Sequence, residues 1–322
     1  MKPLIYKTAF AVSTLLAGVA TATAASAVPS QITIVVPFSA GASNDSIARV
    51  VAPELAAQLK TNVIVENRAG AAGVIGSSHV AKSAADGATL LLTSSTFVTA
   101  ASTQPNMPYD ALKSFAPVAM VGQGPLVIAV SGESSYQSLS QVLDAARAEP
   151  GKLNYGTSGI GSLAHLATTL LTDAAKVKMT HVPYKGAAAA AGDLAGGRIE
   201  LMLANYSSLA PLLETKKVRL IATTAPGQDQ AFPQLQPASA MVPGYDVDIW
   251  VGIFAPAGTP SDLVEKYNKA FNQINRSPRL AGLLKLDGTV PASLSSDEFA
   301  QRVERDLGRW KALAKQHDIT AN

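Results

Sequence analysis

Serine, threonine and glycine crowd the short stretches that follow the apolar runs of this chain, and most of its chemical potential lies there. Residues 37–45 (Pro37, Phe38, Ser39, Ala40, Gly41, Ala42, Ser43, Asn44, Asp45) follow one run, residues 69–73 a second and residues 93–97 a third. Residues 155–162, 184–187 and 204–207 repeat the arrangement further along. Small residues leave backbone N–H groups open, and a helix amino end carries partial positive charge, so such loops suit an anion without any arginine. A single loop of this kind is an ordinary turn. Six at equivalent places point to a site. Covalent chemistry is poorly supplied by contrast. There is no cysteine, which excludes disulfides, thiolate-held metals and thiol nucleophiles. No G-x-S-x-G is present; Gly156-Thr157-Ser158-Gly159 has the wrong spacing. The histidines at 79, 165, 181 and 317 form no H-E-x-x-H, and neither a Walker A loop nor a G-x-G-x-x-G opens a helix. Catalytic residues need only meet in space, so an enzyme stays open as an alternative.

The elements that would carry these loops alternate. Residues 32–38, 63–66 and 89–94 are near-continuous apolar runs, as strands buried on both faces should be. Between them Ile47, Val51, Leu55 and Leu59 step by four along one helical face, with Pro53 inside. Further strands are predicted at 126–130, 153–155, 179–183, 199–204, 218–223 and 249–254. Helices are predicted from Ser138, over 162–175 and 187–194, after Pro260 and at the carboxyl end. This predicts βαβ units and parallel sheets. Nine or ten strands are too many for one compact sheet, so two α/β lobes are expected, with short strands crossing between them near 122–128 and 240–250.

Composition agrees with a folded chain, and the amino terminus with an exported one. The chain has 322 residues, 48% hydrophobic and 15% charged, with a net charge of +3. No basic stripe is present, so no nucleic-acid partner is expected. Lys2 and Lys7, the apolar run 9–22 and Ala25-Ser26-Ala27 form the three parts of a secretory signal peptide, with cleavage expected after Ala27. The apolar run is shorter than the ~20 residues that span a bilayer.

Several segments then carry a resemblance. ITIVVPFSAGASND, VIVENRAGAAGVIGSSHVAKSAADGATLL, KSFAPVAMV, GKLNYGTSGIGSLAHLA, HVPYKG, DLAGGRIELM and WVGIFAPAGTP occur in this order. Together they resemble the substrate-binding proteins of tripartite tricarboxylate transporters, also called the Bug family. The resemblance covers nearly all of the expected mature chain. It implies a two-lobed, type II periplasmic-binding-protein-like α/β fold with the ligand cleft between the lobes. Lobe 1 would comprise residues 28–125 plus 247–322, and lobe 2 residues 126–246. It further implies a periplasmic, monomeric receptor without cofactor or metal. Such a receptor captures a small organic anion (a mono-, di- or tricarboxylate) for a membrane permease. The alternatives are a receptor that presents its ligand to a signalling protein, or a periplasmic enzyme acting on carboxylates. The chain departs from the family at Gly41-Ala42-Ser43, at Ala69 and at Ala72-Gly73, where the family usually has more glycine, and Pro at the second place. Added methyl groups there narrow the first-lobe wall, and alanine lacks glycine's free access to positive φ.

Residue roles follow as expectations. Ser39, Ala40, Gly41, Ala72 and Gly73 offer backbone donors to a carboxylate. Asn44 or Asp45 caps the next helix; Asp45, which matches the family's acidic position, could instead bind a ligand amino group. Ser94, Ser95, Thr157 and Ser158 supply hydroxyls, Phe38 packs on the ligand body and Asn205 bonds its far end. His165 is either solvated or aimed at the cleft, where it could sense pH. Trp250 belongs to the core between the lobes.

Overall fold

The computed structural model describes residues 26–321; the expected signal peptide lies almost wholly outside them. The chain opens with β1 (Gln31–Val36), α1 (Ser43–Leu59), β2 (Asn62–Asn67), α2 (Val74–Ala81), β3 (Thr89–Ser94), α3 (Thr96–Thr103) and the long β4 (Phe115–Pro125). After one residue, Leu126, it continues as β5 (Val127–Ser131), α4 (Leu139–Ala148), β6 (Asn154–Thr157), α5 (Leu163–Ala174), β7 (Thr180–Pro183), α6 (Ala187–Ala195), β8 (Leu201–Ala204), α7 (Tyr206–Glu214) and β9 (Val218–Thr223). It then returns as β10 (Asp248–Pro256), α8 (Ser261–Ile274), α9 (Pro278–Lys285), β11 (Val290–Pro291) and α10 (Ser296–Gln316).

Two sheets result. The first has the order β11-β4-β10-β3-β1-β2, the second β7-β6-β8-β5-β9. Both are mixed, which corrects the expectation of parallel sheets. β1 runs parallel to β2 and β3, but β10 is antiparallel to β3 and β4, and β5 is antiparallel to β8 and β9. β10 and β5 are reversed where the chain enters a sheet from the other lobe, and the short edge strand β11 is antiparallel to β4. Of β4 only the end was expected, as a short crossing strand near 122–128, because Pro117, Gly122, Gly124 and Pro125 break its apolar run.

Local sequence explains the well-predicted elements. Ile47, Val51 and Leu55 of α1 are buried against Ile32, Ile34 and Val36 of β1 and against Tyr267 and Phe271 of α8. Ser138 and Ser162 cap α4 and α5 through their hydroxyls, and Ser295 with Glu298 forms a reciprocal capping box on α10. The other face of the first sheet carries an aromatic cluster. Phe97, Phe115, Phe254, Phe299 and Trp250 pack with ring centroids 4.9–6.2 Å apart. Trp250 is fully buried, and its indole N–H donates to Asp306 Oδ2 at 3.0 Å.

Thr224 links the two crossings. Its backbone N–H donates to Leu126 O at 2.9 Å, and Leu126 N–H donates back to its Oγ1 at 2.8 Å. Its hydroxyl donates to Val247 O, while Val247 N–H donates to Thr224 O at 3.1 Å. Thr224 is wholly buried, so these bonds are shielded from water.

Candidate functional site

A cleft of about 420 Å³ opens between the two sheets. Five helices begin on it. Ser43 and Asn44 come from the first turn of α1, and Ser95 and Thr96 from the start of α3. Ser162, Leu163 and Ala164 open α5, Ala187 is the first residue of α6, and Asn205 is the N-cap of α7. Each helix end carries roughly half a positive elementary charge on its free N–H groups. Among the described residues no lysine, arginine or histidine lines the cleft, and its single ionisable side chain is Asp287.

Half of the residues singled out from sequence reach this cleft. Phe38, Asn44, Ala72, Ser94, Ser95, Ser158 and Asn205 are on its wall. Ser158 is exposed there, while Ser95 is tied down: its Oγ accepts Trp250 N–H at 2.8 Å. Ala72 holds a left-handed backbone at φ 52°, next to Ala71 at φ 47° and Gly73 at φ 91°. Ala42 is also on the wall, so two of the departures from the family pattern lie on the cleft. Asn205 makes no side-chain capping bond to α7.

The other half lie elsewhere. Ser39, Ala40 and Gly41 are solvent-exposed and stand off the wall. Gly73 is buried behind it, where an added Cβ would sit 3.4 Å from Pro37. Neither Asn44 nor Asp45 is the helix cap; Ala42 is, without a side-chain bond. Asp45 instead reaches back from the first turn. Its carboxylate accepts from Gly41 N–H at 2.8 Å, Arg49 Nε at 2.9 Å and Asn67 Nδ2 at 2.9 Å. Burial works to raise its pKa, but these donors together hold it below the ordinary carboxylate value. Asn67 Nδ2 also donates to Phe38 O at 3.2 Å, so the group fixes the loop that carries Phe38.

Thr157 and His165 belong to a buried stack behind the cleft. His165 and His181 lie face to face with centroids 3.8 Å apart, and Tyr155 stacks on His181 at 5.0 Å. Thr157 Oγ1 is 2.7 Å from His181 Nε2, which takes its hydroxyl from any ligand. His165 Nδ1 accepts Gly161 N–H at 3.2 Å. His165 is thus neither solvated nor aimed at the cleft. Desolvation, followed by the charges of His181 and His317, pushes His165 down to about 4; desolvation pushes His181 down to about 4.

Sequence reading missed Ser43, Thr99, Thr103, Gln104, Asp287 and Thr289 on the wall. Ser43 lay inside a loop already singled out. Thr99 and Thr103 lie on α3, a helix beyond the point where the third loop was ended. Asp287 and Thr289 flank a glycine after α9, and nothing in the local sequence ties that turn to the other loops. Among the described residues no cluster of His, Cys, Asp and Glu could hold a metal ion.

Known proteins share this architecture. The model of the tripartite tricarboxylate transporter family receptor matches residues 47–319. Protein BugT of Bordetella pertussis is 32% identical over 93% of this chain and 93% of its own length. A solved structure of Rpa4515 from R. palustris with adipate is 33% identical, with a TM-score of 0.77 over 90% of this chain and 98% of that one. MatC from Rhodopseudomonas palustris with bound malate is 29% identical, with a TM-score of 0.73 over 88% and 98% of the two chains.

Proposed function

The chain belongs to the tripartite tricarboxylate transporter receptor family, and from that premise we propose that it captures a small carboxylate-bearing solute in the periplasm and delivers it to a membrane permease. One observation carries the reading: five helix amino ends from two lobes meet at one cleft whose wall, among the described residues, holds no basic side chain. Free N–H groups at such ends hold a carboxylate by hydrogen bonds and dipole attraction. Serine and threonine hydroxyls add neutral donors, among them Ser94 and Ser158. Relatives with adipate and malate bound lend support to the carboxylate class. The mechanism is hinge closure about the two crossings, in which the ligand binds best to the closed state and shifts the population toward it. No step of this mechanism breaks a covalent bond in the solute, so the protein returns it unchanged.

The test is thermal unfolding of the mature protein against a panel of organic acids. A true ligand at a hundredfold excess over Kd adds about 2.7 kcal/mol of stability. A selective rise in Tm with a carboxylate, recovered unaltered, is the expected result. Ser94→Ala with Ser158→Ala should cut that affinity at least tenfold while leaving the ligand-free Tm in place. No shift with any carboxylate, or conversion of the one that binds, overturns the proposal.

A further inference from the structure

Asp287 is out of keeping with a receptor for simple anions. It sits in the turn after α9, only 9% exposed, and it lines the cleft. One carboxylate oxygen accepts the hydroxyl proton of Ser43, the first residue of α1. The other, Oδ1, is sealed from bulk solvent and has no hydrogen-bond partner. No lysine, arginine or histidine forms an ion pair with it among the described residues. A buried charge with one oxygen unsatisfied is costly, and its natural complement is a charged donor.

The turn holds this carboxylate in place. Asp287 N–H and Thr289 N–H both donate to Leu284 O, at 2.9 and 3.0 Å. Gly288 adopts φ 69°, and a Cβ there would fall 2.6 Å from the Phe232 ring and 3.0 Å from Tyr206 Cβ. Phe232 and Tyr206 belong to the part of the chain that carries the second sheet. The turn therefore presses against the opposite lobe, and only glycine lets it come so close. Asp287 is thus a fixed, desolvated anion where the two lobes meet around the solute.

We infer that the solute carries a primary ammonium group beside its carboxylate, and that Asp287 receives the ammonium. The inference rests on the proposed receptor function and narrows its ligand class. The helix amino ends account for the carboxylate; Asp287, the one ionisable side chain among the described lining residues, accounts for the cation. A dicarboxylate of the same length would set a second negative charge near Asp287 with no base to offset it. A hydroxyl in that place would satisfy Oδ1 but leave the charge unpaired.

Calorimetric titration of the wild-type protein should use matched probes. Succinate, glutarate and adipate are compared with 4-aminobutanoate, 5-aminopentanoate and 6-aminohexanoate, with the corresponding hydroxy acids, and with the standard α-amino acids. At least one amino acid should bind ten times more tightly than the dicarboxylate and the hydroxy acid of its length. Asp287→Asn keeps the shape and removes the charge. It should weaken that amino acid at least tenfold and leave or improve dicarboxylate binding. Asp287→Ala, checked for an unchanged Tm, should show the same reversal. If dicarboxylates or hydroxy acids bind best in the wild type, the ammonium assignment is wrong and the receptor function stands. If an amino acid binds best but neither variant weakens it, Asp287 is not its partner. If no carboxylate of any kind binds, the receptor reading falls together with the assignment.

Discussion

Asp45 is buried, yet its three donors keep it ionised. Its sequence position suggested two roles, a helix cap or a ligand contact, and the structure gives it a third. It pins Gly41 and, through Asn67, the carbonyl of Phe38. Spacing along one segment cannot reveal a bond to Asn67 on the next strand, which is why this role was illegible. Asp45→Ala leaves Gly41 N–H and Asn67 without their acceptor. The expected cost is about 2 kcal/mol, read from urea unfolding, as for hydrogen bonds to a charged group. Ligand affinity should fall with it, because Phe38 loses its support. An unchanged unfolding midpoint would remove Asp45 from this role.

At the scale of elements, α10 secures β10 through Arg302. The guanidinium bonds both Asp248 at the start of the strand and Asp306 one turn along the helix. Burial alone would lower the Arg302 pKa, but the two carboxylates raise it, so the charge is firmly held. Burial raises the pKa of Asp248 despite this partner. Arg302→Met strands two carboxylates in a poorly hydrated place and should cost about 3 kcal/mol in chemical unfolding. Arg302→Lys should recover only part, since one ammonium cannot match the forked contact.

Elements of this kind were unequally legible in the sequence. β1 announces itself through a continuous apolar run, α1 through its apolar period and α4 through the capping spacing of Ser138 and Gln141. β4 does not, because its prolines and glycines read as turns although long-range pairing with β10 holds them extended. Strand direction was illegible too, since it depends on where the chain changes sheet. The same limit applies to the cleft: loops that follow strands were readable, whereas Asp287 follows a helix.

The whole molecule should show one consequence of the paired imidazoles. His165 and His181 are held neutral, with pKa values near 4 against 6.5 for the free group. As pH falls below about 6.5 the unfolded chain takes up protons that the folded chain refuses. Stability is therefore complete above pH 6.5 and is lost on the way to pH 4, by an amount on the order of 2 kcal/mol or more. Tm measured at fixed ionic strength should drop through that window. Replacing both histidines by glutamine should flatten the curve; a wild-type Tm constant from pH 7 to 4.5 would contradict the burial argument.

Thr224 has a mechanical meaning. Two cords that join a pair of plates normally leave them free to slide, twist and tilt. Here both cords are knotted to the same residue, Leu126 on one side and Val247 on the other. Sliding would break the knot, so what remains is rotation about it. The state of the protein then reduces to how far the plates have turned. A surface that touches both plates can read whether cargo is aboard without ever meeting the cargo.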